Sequence, residues 1–261
     1  ADGRASLDQA KYIGELLTEF GLQGVYPATT PMLSKPMEVE PTLEVEEHAT
    51  FRRMVGCLVY IMIMTRPDIA YSVSCVSRYL HEPHQGHLRA CKRIYAYLSG
   101  TRHHALTYNT PNSEIVTFVD SNFGNCMETG RSQSGLVSLM FGAAWLWRSV
   151  RQPVVAQSTS EAEFIAMCDG AKELLYMGQF IEETGIPQLQ QPGPSYATLS
   201  THTGRSIVDS ATTHDSMIAL VRMQGDNEGA IKMAQEGADT SRTRHMHRRY
   251  YFLRDLVKMG W

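Results

Sequence analysis

Asp120, Glu163 and Asp226 are the residues whose types and setting point to chemistry. Asp120 ends an expected core strand, Ile115–Val119, and Asp226 follows a second expected strand, Ile218–Gln224, at the start of a short helix. Glu163 lies in the first turn of a long expected helix running from about Ser160 to Thr184. Carboxylates brought from several strand and helix ends to one point repel each other unless a cation binds, and such hard oxygen ligands suit Mg2+ or Mn2+. Two such ions activate a water and stabilise a leaving oxygen in phosphodiester cleavage. Each acid also has a purely structural explanation. Asp226 is a suitable cap for the helix after it. Glu163 completes an S-x-x-E capping box with Ser160, although Ser158 and Glu161 offer a competing box that leaves Glu163 free. Asp120 is a common type of turn residue after a strand.

Further residues are candidates for binding. The expected last helix, Thr243–Lys258, is locally basic through Arg242, Arg244, Arg248, Arg249, Arg254 and Lys258. His247, Tyr251, Arg254 and Lys258 share one face of it, away from the apolar stripe, which suits either solvent or phosphate contact. His81, His84 and His87 recur every third residue, but Pro83 interrupts them and nothing nearby completes four zinc ligands. The pairs Trp145/Trp147 and Tyr250/Tyr251 read as core and interface residues rather than base-stacking platforms. There is no GxxxxGK[ST], GxSxG or HExxH, so no motif supports P-loop, serine hydrolase or zincin chemistry.

The elements that must position these residues fall into two halves. The chain has 261 residues, enough for one large or two modest domains. It is 43% hydrophobic and 20% charged, the composition of a globular protein rather than a disordered one. A net charge of −3 excludes a globally basic nucleic-acid binder and leaves room for a local basic patch. Five cysteines without a CxxC pair point to reduced thiols, most of them core fillers. The longest apolar run, Met54–Met64, is too short for a bilayer and is bracketed by Arg53 and Arg66. With no signal peptide or membrane span visible, the expectation is an intracellular protein. Ala1 in place of a starting Met suggests a processed product or a fragment.

The first half reads as helical. Ser6 and Gln9 suggest a capping box before the stripe Ile13, Leu16, Leu17, Phe20, with Gly21 as the stop. Residues 26–48 carry four prolines and read as an extended surface linker. A second helix places Phe51, Met54, Val55, Leu58 and Met62 on one face. A third is expected to be capped by Asp68, and a fourth runs from about His87 to Leu98. Beyond residue 105 strands precede helices. Ser134–Phe141 and Ala144–Ser149 form an expected hairpin around Gly142-Ala143. Residues 186–215, rich in Pro, Gly, Ser, Thr and Gln, read as a long mobile loop.

Several ordered motifs carry a family resemblance. Phe51-Arg-Arg-Met-Val-Gly-Cys-Leu-Val-Tyr-Ile61, Thr65-Arg-Pro-Asp-Ile-Ala-Tyr71 and Ala90–Thr101 resemble the end of the reverse-transcriptase region in copia-type retrotransposon polyproteins. Phe118-Val-Asp-Ser-Asn-Phe-Gly124, Arg131-Ser-Gln-Ser-Gly135, Ser158-Thr-Ser-Glu-Ala-Glu-Phe164, Ala171–Leu175, Gly225-Asp-Asn227 and Thr243–Tyr250 resemble the ribonuclease H domain that follows it. The resemblance spans nearly the whole chain except about 186–217. It implies a helical region at 1–105, then an α/β domain at 106–261 with an RNase H-like mixed sheet flanked by helices, in which the long loop at about 186–217 exceeds what is typical of the family. It implies a metal-dependent endoribonuclease that cleaves the RNA strand of RNA–DNA hybrids. Asp120, Glu163 and Asp226 then hold two Mg2+ or Mn2+ ions, and Arg244, Arg248, Arg249 and Arg254 contact the nucleic acid.

The departures from the family are specific. His247 stands where the family usually has a further acid, and imidazole ligates metal or shuttles protons without adding negative charge. Asp120-Ser121-Asn122 replaces the frequent D-A-D. No Y-x-D-D occurs, so no polymerase activity is expected. These departures also fit a domesticated, non-catalytic subunit of a larger assembly, with a protein partner on the 186–217 loop or the helical region.

Overall fold

A computed structural model describes residues 3–33, 40–109, 115–184, 199–200, 221–236, 252–253 and 255–256. The chain divides into two compact units, Arg4–Thr107, and Ala1–Gly3 together with Tyr108–Trp261.

The Arg4–Thr107 unit is mostly helical. Its helices are α1 (Ala10–Glu19), α2 (Val45–Met64), α3 (Ala70–Val76) and α4 (Gln85–Gly100). Strand β1 (Arg4–Leu7) pairs with β2 (Leu106–Asn109) in a two-stranded sheet. The apolar stripes meet as expected. Ile13 and Leu16 of α1, Phe51, Leu58 and Ile61 of α2, Val73 of α3, and Ile94 and Leu98 of α4 lie in one buried cluster. Burial of each such large side chain is worth roughly 1.5–3 kcal/mol, which is how a helix of only moderate propensity is held.

Helix ends here differ from the expectations at three places. Ser6 does not cap α1. It lies in β1 and shares a hydrogen bond with Thr107, while Asp8 Oδ1 accepts the Ala10 amide at 2.9 Å. The strand pairing is a long-range interaction that outcompetes a local box. Gly21 does stop α1, at φ 64°, with Leu22 N donating to Leu17 O and Gly21 N to Thr18 O in a Schellman closure. Asp68 does not cap α3 through its side chain. It is taken by the buried Arg66 and by Tyr97. Helix α2 also begins at Val45, inside the stretch read as linker.

The second unit is mixed α/β. Its five-stranded sheet has the order β5-β4-β3-β7-β6, from β3 (Ile115–Asn122), β4 (Gln133–Met140), β5 (Ala143–Arg151), β6 (Leu199–Ser200) and β7 (Val221–Gln224). β3–β4 and β4–β5 pair antiparallel, whereas β3–β7 and β7–β6 pair in parallel. The β4–β5 turn is Phe141-Gly142, one residue earlier than expected. Both residues have positive φ, 54° and 81°, the two-residue geometry whose twist matches that of the strands.

Helix α5 (Thr159–Thr184) packs on this sheet, with Phe164, Ile165, Cys168 and Leu174 in one core with Ile115, Val119 and Met223. Contact is closest at Gly170, where a Cβ atom would meet Val119 Cγ1 at 2.6 Å. Helix α6 (Glu228–Glu236) adds Ala230, Ile231 and Ala234 to the same core. Among the described residues no helix is long and apolar enough to cross a membrane.

Candidate metal centre

Three elements of the second unit deliver the acids. β3 runs antiparallel to β4 as far as Asn122↔Gln133. Its pairing with β7 stops at Phe118↔Gln224, so β3 continues past the paired end of β7. Asp120 sits in that extension, inside the strand rather than after it as the sequence suggested. The antiparallel partner carries the strand beyond the point where its apolar run ends.

The chain leaves β7 through Gly225 and Asp226 and enters α6. Asn227 caps that helix, its Oδ1 accepting the Ala230 amide at 2.9 Å. Asp226 is therefore not the capping residue. Gly229 keeps α6 close to the start of α5, since a Cβ there would stand 2.7 Å from Ser160 Oγ.

The first turn of α5 is tied down independently of Glu163. Ser158 Oγ accepts the Glu161 amide at 3.2 Å, and Glu161 Oε2 accepts the Gln157 amide at 2.8 Å. Of the two competing boxes, the Ser158–Glu161 one supplies the bond to the Glu161 amide, while the Glu161 carboxylate turns to the Gln157 amide one residue before the cap. Gln152 Nε2 adds bonds to Ala162 O at 2.8 Å and Ser134 Oγ at 2.9 Å, linking the helix start to β4.

One ligand oxygen from each of Asp120, Glu163 and Asp226 lies within 4.8 Å of the others. Glu163 is buried, whereas Asp120 and Asp226 are exposed. Among the described residues none of the three forms an ion pair. Burial above all, joined by the charges of Asp120 and Asp226, pushes the Glu163 carboxyl up to about 7, against the lowering effect of hydrogen bonds from Ser121. The donors are all carboxylate oxygens and their charge is unbalanced, so the set fits a hard divalent cation.

Ser121 is the site residue that the motif reading passed over. Its hydroxyl and amide both donate to Glu163 Oε1, at 2.8 and 3.2 Å. The signal was the alternation Ile115, Thr117, Val119, which puts Ser121 on the buried parity of the strand. His247, Arg244, Arg248, Arg249 and Arg254 lie outside the described residues, as does nearly all of 186–217. The three spaced histidines form no metal cluster among the described residues. His84 N instead donates to His87 Nδ1 at 3.1 Å, at the start of α4.

Comparison with known proteins finds relatives among retrotransposon polyproteins. The chain is 30% identical over 261 residues to the retrovirus-related Pol polyprotein from transposon TNT 1-94 of Nicotiana tabacum, covering 96% of this chain and 17% of the polyprotein. It is 27% identical over 256 residues to the corresponding polyprotein from transposon RE1 of Arabidopsis thaliana, covering 97% and 15%. An uncharacterized mitochondrial protein of Arabidopsis thaliana is 34% identical over 172 residues, which is 65% of this chain and 71% of that protein. The chain is similar over most of its length to copia-like retrotransposon Pol polyproteins. It spans only 17% and 15% of these two polyproteins. No family model and no solved structure matches it. The candidate metal centre is therefore defined by the chain's own three carboxylates and their supporting bonds.

Proposed function

We propose that this chain, a relative of retrotransposon Pol polyproteins, carries an RNase H-like domain, and that Asp120, Glu163 and Asp226 form the centre of a metal-dependent endoribonuclease acting on the RNA strand of RNA–DNA hybrids. The convergence of three carboxylate ligand atoms within 4.8 Å, without a cationic side chain paired to them among the described residues, carries the reading. The mixed sheet with an acid on its central strand and an acid on the helix packed against it supports the fold assignment. The motif resemblance supports the substrate.

Asp120, Glu163 and Asp226 would hold two Mg2+ or Mn2+ ions. When bound, such ions supply an activated water and stabilise the departing oxygen. The chain's own contribution is placement. Buried Glu163 provides a fixed inner ligand. Exposed Asp120 and Asp226 flank the side open to solvent, from which a phosphodiester can approach. Hydrolysis adds water across the phosphorus–O3′ bond and leaves a 5′-phosphate and a 3′-hydroxyl. Arg244, Arg248, Arg249 and Arg254 would contact backbone phosphates, and His247 would occupy the fourth position of the site.

His247, where the resembled domain usually has an acid, favours a second reading as a non-catalytic subunit. Cleavage of an end-labelled RNA annealed to DNA, with Mg2+ or Mn2+, separates the two. The wild type should cut the RNA strand and Asp226→Asn should not, with an unchanged fold by circular dichroism. Equal residual cleavage by both proteins overturns the enzymatic reading and leaves the subunit.

A further inference from the structure

We propose that Ser121 is a positioning residue for Glu163, anchoring one carboxylate oxygen so that the other is presented to a divalent cation. The inference rests on the metal-centre reading above and adds a residue that touches neither substrate nor metal.

Beyond Phe118, β3 lies past the paired end of β7, and the Ser121 amide there donates to the Glu163 carboxylate. Ser121 has the same parity as Val119, whose side chain faces Gly170 of α5. Its side chain is thus directed to the helix that bears Glu163. Both donors, the hydroxyl at 2.8 Å and the amide at 3.2 Å, fall on the same atom, Oε1. Among the described residues Oε2 receives no hydrogen bond.

The chemistry follows from that asymmetry. A buried carboxylate with two donors on one oxygen has its side-chain rotation fixed and half of its charge engaged. The other oxygen is then held in one direction, in a cluster where one Glu163 oxygen lies within 4.8 Å of ligand atoms of Asp120 and Asp226. Partners of this kind orient metal ligands, and their loss typically lowers metal affinity or activity by roughly 10- to 100-fold. The Ser121 backbone is needed for pairing with Ser134, but its hydroxyl is not. The hydroxyl can therefore be removed without removing a strand bond.

Mn2+ binding by the full chain, followed through the electron paramagnetic resonance of free Mn2+, reads the role without any turnover. Glu163→Gln defines which binding belongs to the centre. Ser121→Ala should weaken that binding by roughly tenfold or more. Ser121→Thr, which keeps the hydroxyl, should restore it to within about threefold, a margin below the loss expected for the missing partner. In hybrid cleavage Ser121→Ala should lower kcat and leave KM unchanged, with the same thermal midpoint as wild type. Wild-type Mn2+ affinity in Ser121→Ala, or no rescue by threonine, overturns the positioning role even where the wild type cleaves hybrid. Wild-type Mn2+ binding that Glu163→Gln does not alter overturns the centre itself.

Discussion

Asn227 Oδ1 accepts the Ala230 amide at 2.9 Å, and this bond releases Asp226 from the structural duty its position suggests. An aspartate between a strand and a helix is a natural cap. Here the next residue takes that role, and Asp226 is left exposed beside Asp120 and Glu163.

Asn227→Ala should therefore lower stability by about 1 kcal/mol, the usual effect of losing an N-cap. It should also reduce hybrid cleavage, because the start of α6 sets where Asp226 stands. Urea unfolding and a cleavage assay on the same preparation check both. Asp226→Asn should separate the two effects, with cleavage lost and stability kept.

The pH dependence of stability follows from Glu163. Its carboxyl titrates near 7 in the folded chain, well above its ordinary value, because it is buried and faces Asp120 and Asp226. The folded state then binds a proton that the unfolded state has already lost, and stability falls as pH rises from the ordinary carboxylate range through about 7. Above that value the loss is complete. Glu163→Gln cannot ionise, so in EDTA its thermal midpoint should exceed that of wild type most at about pH 8 and least at about pH 5, either side of the titration. Parallel midpoints across that range would show that Glu163 titrates as an ordinary carboxylate.

What the sequence alone revealed, and what it did not, follows the range of the interactions. The stripe Phe51, Met54, Val55, Leu58 is local, and it forms the buried face of α2 as read. The alternation in Ile115–Val119 likewise marks a real strand. Ser6 misleads because its partner, Thr107, is distant in the chain. The hairpin turn is displaced because Phe141, not a glycine, adopts positive φ. The three acids are visible as types at element ends. The Ser121–Glu163 bond is not, since it depends on where β7 stops alongside β3.

In the helical unit, Arg66 is a buried cation held by partners from two places in the chain. It is 2% exposed, and its guanidinium binds Asp68 through Nε and Nη2 and Thr101 O through Nη1. Burial raises the Asp68 carboxyl, but the Arg66 bonds outweigh it and hold the pKa below the ordinary value. Arg66→Met should cost about 3 kcal/mol, the lower end for breaking a buried pair, because Asp68 keeps some solvent contact. The pair's contribution is present above the ordinary aspartate range and is lost as pH falls through the lowered Asp68 value. Urea midpoints at neutral and acid pH should show the wild-type advantage shrinking toward acid. An advantage constant with pH would assign it to the Thr101 bonds alone.

The last prediction concerns His247, which stands where the resembled domain usually has an acid. A neutral imidazole adds no charge to a centre that already holds three carboxylates, so the second of two hard cations should be bound weakly. His247→Asp should then raise hybrid cleavage at low Mg2+ and leave the rate at saturating Mg2+ little changed. The competing role is phosphate contact from the basic series Arg244, Arg248 and Arg249. In that role a new negative charge should weaken hybrid binding at every Mg2+ concentration. A Mg2+ titration at fixed hybrid, with KM measured at each end, distinguishes them. A shifted Mg2+ midpoint with constant KM places His247 at the metal centre. A constant midpoint with raised KM places it among the phosphate contacts and leaves the centre with three carboxylates.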